Sequence, residues 1–118
     1  LKVSAPFHCS LMKPAENIMR DKIAKTKFIN PLFKIINNVT ATPENNSENI
    51  KELLVKQISS TVKWRDSIIN MSTSGVKNFI EVGPGKALSG MIKRTIKEAN
   101  CFSINSITDI KNLTNEFK

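Results

Sequence analysis

Short apolar runs alternate with segments of helical periodicity along this sequence. Four such runs are typical of strands: Val3–Pro6, Leu32–Val39, Val76–Val82 and Cys101–Ile104. After each run, apolar residues recur every three or four positions, as they do on one face of a helix. Strands that are joined through helices pair in parallel by right-handed crossovers. The alternation therefore predicts an α/β fold, with a parallel sheet and flanking helices.

Capping and turn residues mark the ends of the predicted helices. Ser10 can cap the first helix, and Ser47 or a neighbour can cap the second, whose last turn contains Gln57. Gly75 is expected to end the third helix, and a tight turn at Gly83-Pro84-Gly85 leads into the fourth. In the first helix, one face collects Leu11, Ala15, Ile18, Met19 and Ile23.

Length and composition indicate one domain or part of one. The chain has 118 residues, of which 40% are hydrophobic and 24% charged, as in ordinary soluble globular proteins. No apolar run approaches the length of a membrane span, and no signal-peptide pattern opens the sequence. The sequence begins at Leu1 directly on strand-like residues. We therefore expect a fragment whose preceding part is missing.

The net charge of +8 favours anionic partners. Lysine supplies most of this charge, the lysines are scattered, and no aromatic run accompanies them. Nucleic-acid-binding surfaces more often combine clustered arginines with stacking aromatics, so a nucleic-acid-binding module is the least favoured class. Cys9 and Cys101 lie far apart without metal-ligand spacing, which predicts no metal site and reduced thiols in a cytosol-like compartment.

His8 is the only histidine and the strongest candidate for chemistry. It lies where a strand-like run ends, and histidine can exchange a proton near neutral pH. A structural histidine is the alternative. No G-x-S-x-G motif supplies a nucleophilic serine, and Cys9 is expected to be a packed thiol. Gly83-Pro84-Gly85-Lys86 lacks the spacing of a phosphate-binding loop, so it predicts a sharp turn, with anion binding as the alternative.

Four stretches, in order and spacing, resemble the family of malonyl-CoA:acyl carrier protein transacylases. They are Val3–Ala15, Ile36–Val39, Leu54–Trp64 and Phe79–Leu88. The resemblance implies an α/β-hydrolase-like large subdomain with a small ferredoxin-like subdomain inserted before the histidine. Residues 1–118 would form the C-terminal portion of that large subdomain. The family's nucleophilic serine, in a G-H-S-x-G elbow, and the arginine that pairs with the malonyl carboxylate would lie upstream.

The resemblance also assigns roles to residues. His8 would be the base that takes the proton of the missing serine and later activates the thiol of the carrier protein. The main-chain carbonyl of Gln57 would orient His8, in place of the carboxylate of a hydrolase triad. Phe7 resembles a bulky residue of malonyl-selective relatives and would crowd an α-methyl group, with plain core packing as the alternative.

The implied activity is malonyl transfer from malonyl-CoA to the acyl carrier protein thiol, through a malonyl-serine intermediate, in fatty acid biosynthesis. This chain would be an inactive fragment of that enzyme by itself, with an uncovered apolar surface. The implied partners are malonyl-CoA and the acidic carrier protein, with no cofactor, nucleic acid or membrane. The implied location is a cytoplasm of bacterial type, with an organelle as the alternative. Two rival functions stay open: an acyltransferase domain of a polyketide synthase, and a serine hydrolase on the same scaffold.

Overall fold

The computed structural model describes residues 6–117, so Val3–Ala5 of the first predicted strand lie outside the described residues. The chain divides into two compact units, Leu1–Ser67 and Ile68–Lys118. A 3-10 helix at Ser10–Met12 precedes the first α-helix. The elements are α1 (Lys13–Ala24), β1 (Ile35–Ile36), β2 (Pro43–Glu44), α2 (Ser47–Lys56), α3 (Trp64–Thr73), β3 (Asn78–Val82), α4 (Ala87–Thr95), β4 (Asn100–Ile104) and α5 (Ile107–Glu116).

In the first unit, α1 packs against α2. Asn46 caps α2, because its side-chain oxygen accepts hydrogen bonds from the main-chain N–H groups of Glu48 and Asn49, both at 3.0 Å. Of the two predicted possibilities, Ser47 or a neighbouring residue, the helix cap is therefore the neighbour Asn46. Ser10 was expected to cap the first helix; instead it begins the 3-10 helix, and α1 starts without a side-chain cap.

The predicted strand Leu32–Val39 is wrong in its extent and in its burial. Of the residues Leu32–Val39, only Ile35–Ile36 forms a strand, and this strand pairs antiparallel with β2. The side-chain oxygen of Asn37 accepts hydrogen bonds from the N–H groups of Val39 and Thr40, and the resulting turn ends the strand. Leu32 is fully exposed rather than covered on both faces.

In the second unit, β3 and β4 pair in parallel and α4 connects them, which confirms the predicted parallel sheet with flanking helices. Strand β3 begins two residues later than predicted. The N–H of Val76 donates to the carbonyl of Met71 at 3.1 Å, and that of Gly75 to the carbonyl of Ser72 at 2.9 Å. These two bonds form a Schellman motif, with Gly75 at a φ of +92°, so Val76 belongs to the helix terminus.

Large apolar side chains are exposed on both units. On α1 and the 3-10 helix before it, most of the predicted apolar face is exposed, and the buried residue of α1 is the charged Glu16. In the second unit, Val82 at the carboxyl end of β3 is 79% exposed and Ile107 at the start of α5 is 74% exposed. Within residues 6–117, no helix combines the length and the apolar character that crossing a membrane would need.

Candidate functional site

His8 lies in a strained turn between Pro6 and the 3-10 helix. Its φ of +58° is in the left-handed region, which non-glycine residues rarely adopt and which costs about 1 kcal/mol or more. Two hydrogen bonds hold the turn: the N–H of Met12 donates to the carbonyl of Cys9, and the Cys9 thiol donates to the carbonyl of Pro6, both at 3.0 Å. The His8 side chain is exposed, so its ring is open to solvent.

The Nδ1 of His8 lies 2.9 Å from the main-chain carbonyl oxygen of Gln57. Gln57 is the C-terminal capping residue of α2. The last carbonyl groups of a helix have no partner within the helix, so this oxygen is free to accept a hydrogen bond from another segment. The end of α2 thus supplies the acceptor without any contribution from the Gln57 side chain.

This contact fixes the tautomer of His8. A carbonyl oxygen can only accept, so Nδ1 carries the hydrogen, and Nε2 is the unprotonated nitrogen of the neutral ring. Nε2 is therefore the atom that can take a proton from a reacting group. When it does so, the ring becomes positively charged next to the C-terminus of a helix, where the partial charge of the helix dipole is negative.

Glu16 anchors the turn that follows Gln57. The Ser59 hydroxyl donates to the Glu16 carboxylate, which also accepts from Lys13 at 2.8 and 3.0 Å and from Arg20 at 3.1 Å. The hydrogen bond from Lys13, followed by that from Ser59, lowers the pKa of Glu16, against burial, which raises it. Sequence reasoning missed Glu16. The spacing from Lys13 to Glu16 to Arg20 was visible, but the same spacing is common on exposed helices.

The structure places two other singled-out residues close to His8. Phe7 is 62% exposed, so it is not part of a core within the described residues. Cys9 is partly buried and its thiol donates a hydrogen bond to the Pro6 carbonyl, as expected for a packed thiol. No group of three or more His, Cys, Asp or Glu side chains suited to a metal ion occurs among residues 6–117.

The Gly83-Pro84-Gly85-Lys86 segment is a sharp turn. The Glu81 carboxylate accepts hydrogen bonds from the N–H groups of Leu88 at 3.1 Å and Ser89 at 2.8 Å, and from the Ser89 hydroxyl at 2.6 Å. The pKa of Glu81 is lowered, mainly by the Ser89 hydroxyl and N–H. Because Glu81 already bonds N–H groups in the first turn of α4, the arrangement favours the turn over an anion-binding site.

No protein-family model matches the chain. Over 105 residues the chain is 39% identical to the malonyl CoA-acyl carrier protein transacylase of Escherichia coli K12, a match that covers 89% of this chain and 34% of that enzyme. The crystal structure of an acyl carrier protein S-malonyltransferase from Vibrio cholerae superposes with a TM-score of 0.89 at 37% identity, covering 96% of this chain and 37% of that one.

A third similar protein was solved with a partner. It is a malonyl-transacylase in complex with a type II polyketide synthase acyl-carrier protein, with a TM-score of 0.88 at 33% identity, and the match covers 98% of this chain and 38% of that one. The chain thus spans about a third of the length of the relatives it matches. In sequence and in fold, it is similar to that third of the malonyl CoA-acyl carrier protein transacylases, which confirms the resemblance found in its four motifs.

Proposed function

We propose that this chain is the C-terminal portion of the large subdomain of a malonyl-CoA:acyl carrier protein transacylase. The nucleophilic serine and the small ferredoxin-like subdomain would lie in a part of the protein outside these 118 residues. The complete transacylase, meaning this segment joined to that part, would move a malonyl group from malonyl-CoA to the carrier thiol in fatty acid biosynthesis. Similarity over one third of such enzymes supports the proposal.

The observation that carries the proposal is the hydrogen bond between Nδ1 of His8 and the carbonyl of Gln57. It leaves Nε2 as the basic nitrogen on an exposed ring, which is the arrangement that a general base for a serine hydroxyl needs. A purely structural histidine would not need a strained backbone, because a residue in an ordinary backbone conformation can also place a hydrogen-bonded imidazole ring. The turn that carries His8 therefore supports a functional role.

The reaction would proceed in two half-reactions. In the first, Nε2 takes the serine proton as the serine oxygen attacks the malonyl thioester, and the imidazolium then returns that proton to the departing coenzyme A thiolate. In the second, Nε2 takes the proton of the carrier thiol, whose sulfur attacks the malonyl-serine ester. The serine oxygen leaves with the proton from the imidazolium, which restores the starting state. No cofactor is needed for either half.

The charge of the chain agrees with these partners. Acyl carrier proteins are acidic and coenzyme A carries phosphates, so a segment with a net charge of +8 could attract both before they bind. We place the enzyme in a cytoplasm of bacterial type, with an organelle as the alternative; the thiols of Cys9 and Cys101, both free, agree with either. Polyketide synthesis is the second candidate, since one similar transacylase was solved with a polyketide carrier protein.

The test is malonyl transfer by the complete transacylase, produced from the gene that encodes this segment, with malonyl-CoA and holo acyl carrier protein. We expect malonyl-carrier protein to form, and His8→Ala to lower kcat by about 10²–10⁴-fold, the usual contribution of a general base. Cys9→Ser is the matched control at the neighbouring position; its hydroxyl can donate to the Pro6 carbonyl as the thiol does, so the variant should keep its activity.

Three results would overturn the proposal. Release of free malonate without a carrier product would indicate a serine hydrolase. A gene without a serine elbow would remove the nucleophile. Full activity of His8→Ala would remove the base.

A further inference from the structure

We infer that Glu16 is a positioning residue for His8. Through Ser59, the Glu16 carboxylate holds the turn after α2 so that the Gln57 carbonyl faces Nδ1 of His8. The inference rests on the proposed function, because it concerns the base of the transfer reaction.

The burial of Glu16 is unusual for the helix that carries it. Glu16 is 2% exposed, whereas Leu11 just before α1 is 71% exposed and Ile18 on α1 is 64% exposed. Burying a carboxylate is unfavourable unless its charge and its hydrogen-bonding capacity are satisfied. The buried position of Glu16 therefore depends on its polar contacts.

The contacts of Glu16 separate into local and long-range ones. Lys13 and Arg20 lie one helical turn before and after it, and their side chains are 60% and 54% exposed. These pairs satisfy the charge of Glu16 but lie within one helix, so they do not tie α1 to another segment. Ser59 is 43 residues away and belongs to the turn after α2, so this contact joins two separate segments.

The same two segments are joined a second time by His8 and Gln57. His8 lies eight positions before Glu16, and Ser59 lies two positions after Gln57. The turn itself is closed by the N–H of Ile58 on the Val55 carbonyl at 3.3 Å. Two ties fix both the distance and the rotation of one segment relative to the other, whereas a single tie fixes only a distance. Without Glu16, the Gln57 carbonyl would be free to turn away from the imidazole.

The test compares variants of the complete transacylase by two readouts. In Ser59→Ala and Glu16→Gln we expect kcat to fall about 10-fold with an unchanged KM for malonyl-CoA, because a displaced base affects the chemical step more than binding. We also expect the nitrogen-15 NMR spectrum of the His8 ring to change from the Nδ1–H tautomer to a mixture of tautomers. Ser59→Thr keeps the hydroxyl and should restore both readouts.

Glu52→Gln is the matched control. Glu52 is an exposed carboxylate on α2, paired with Lys56 at 3.4 Å, and its removal changes the net charge by the same amount as Glu16→Gln. We expect it to leave kcat and the His8 spectrum as in the wild type. A fall in kcat in Glu52→Gln equal to that in Glu16→Gln would attribute the effect to charge alone and overturn the inference.

The outcomes separate this inference from the proposed function. Folded Ser59→Ala and Glu16→Gln proteins with wild-type kcat and a wild-type His8 spectrum would overturn the positioning role. A wild-type protein that makes no malonyl-carrier protein would overturn the proposed function, while the His8 spectra of the variants would still decide the positioning role. If Glu16→Gln does not fold, Ser59→Ala decides, because it leaves the carboxylate paired with Lys13 and Arg20.

Discussion

The ring nitrogen Nδ1 of His8 lies 2.9 Å from the carbonyl oxygen of Gln57, a contact between residues 49 positions apart. A main-chain acceptor at a helix C-terminus fixes the tautomer of the ring as a carboxylate would, but it carries only a partial negative charge. In the reaction we propose, an imidazolium formed by proton transfer would therefore be stabilised less than in a triad with aspartate. We therefore expect the proposed site to depend on the position of the Gln57 backbone and not on its side chain.

The first prediction concerns the Gln57 side chain. In the complete transacylase, Gln57→Ala should lower kcat by less than about 3-fold, whereas His8→Ala should lower it by about 10²–10⁴-fold. The reason is that alanine keeps the main-chain carbonyl in place at the end of α2. Steady-state assays of malonyl transfer measure kcat for both variants. A Gln57→Ala variant as damaged as His8→Ala would contradict the main-chain role.

The second prediction concerns Phe7 and substrate choice. Phe7 is exposed beside His8, where its ring could crowd the α-methyl group of methylmalonyl-CoA. A methyl group is worth about 1–3 kcal/mol in an apolar substrate pocket, so Phe7→Ala should reduce the preference for malonyl by about 10-fold. Competition between the two thioesters measures the ratio of kcat/KM values. Phe33→Ala, at another exposed phenylalanine of the same unit, should leave this ratio unchanged, and an unchanged ratio in Phe7→Ala would refute the role.

The third prediction concerns acid stability and Glu81. Hydrogen bonds from Ser89 and Leu88 lower the pKa of Glu81 in the folded protein below the usual value of 4.5. A lowered folded-state pKa contributes stability above the usual value, and this contribution is lost as the pH falls through the lowered pKa. The free energy of unfolding of Glu81→Gln should therefore lie below that of the wild type at neutral pH and approach it in acid. Glu52→Gln is the matched control. A constant difference between Glu81→Gln and the wild type at all pH values would contradict the account.

The fourth prediction pairs two glycines of the second unit. Gly75 has a φ of +92° at the end of α3, so Gly75→Ala should destabilise the protein by about 1 kcal/mol although its Cβ would meet open space. Gly90 lies inside α4, where an added Cβ would make an ordinary contact with Arg94 at 3.7 Å. Gly90→Ala should therefore stabilise the protein by about 0.5–1 kcal/mol. Denaturant unfolding measures the change in the free energy of unfolding for each variant. Changes of the same sign in the two variants would refute the reasoning.

The second unit could largely be predicted from its sequence, because its signals are local. Strand β3 followed by Gly83-Pro84-Gly85 and a helical pattern can hardly adopt another arrangement, and the parallel pairing with β4 follows from the helix between them. The error at the start of β3 came from Val76, whose apolar character is typical of a strand but whose N–H closes the end of α3. Hydrophobicity alone does not show where a main-chain hydrogen bond goes.

The first unit was predicted less well, because polar side-chain contacts shape it. The strand pattern of Leu32–Val39 is ended by the side chain of Asn37, and the residue that α1 buries is Glu16, whose carboxylate accepts a hydrogen bond from Ser59. Neither contact has a periodic signature. His8 could be identified from the sequence because it is the only histidine. A main-chain carbonyl has no sequence signal, so the role of Gln57 was predicted from the family resemblance and not from its residue type.

The most direct test of the central role of His8 is an intact-mass measurement of the complete transacylase shortly after it is mixed with malonyl-CoA, followed by addition of holo acyl carrier protein. The account predicts that the wild type gains one malonyl group on a serine outside this segment and loses it to the carrier, and that His8→Ala gains none in the same time. If His8→Ala acquires and discharges the malonyl group as fast as the wild type, His8 is not the base and the account is contradicted.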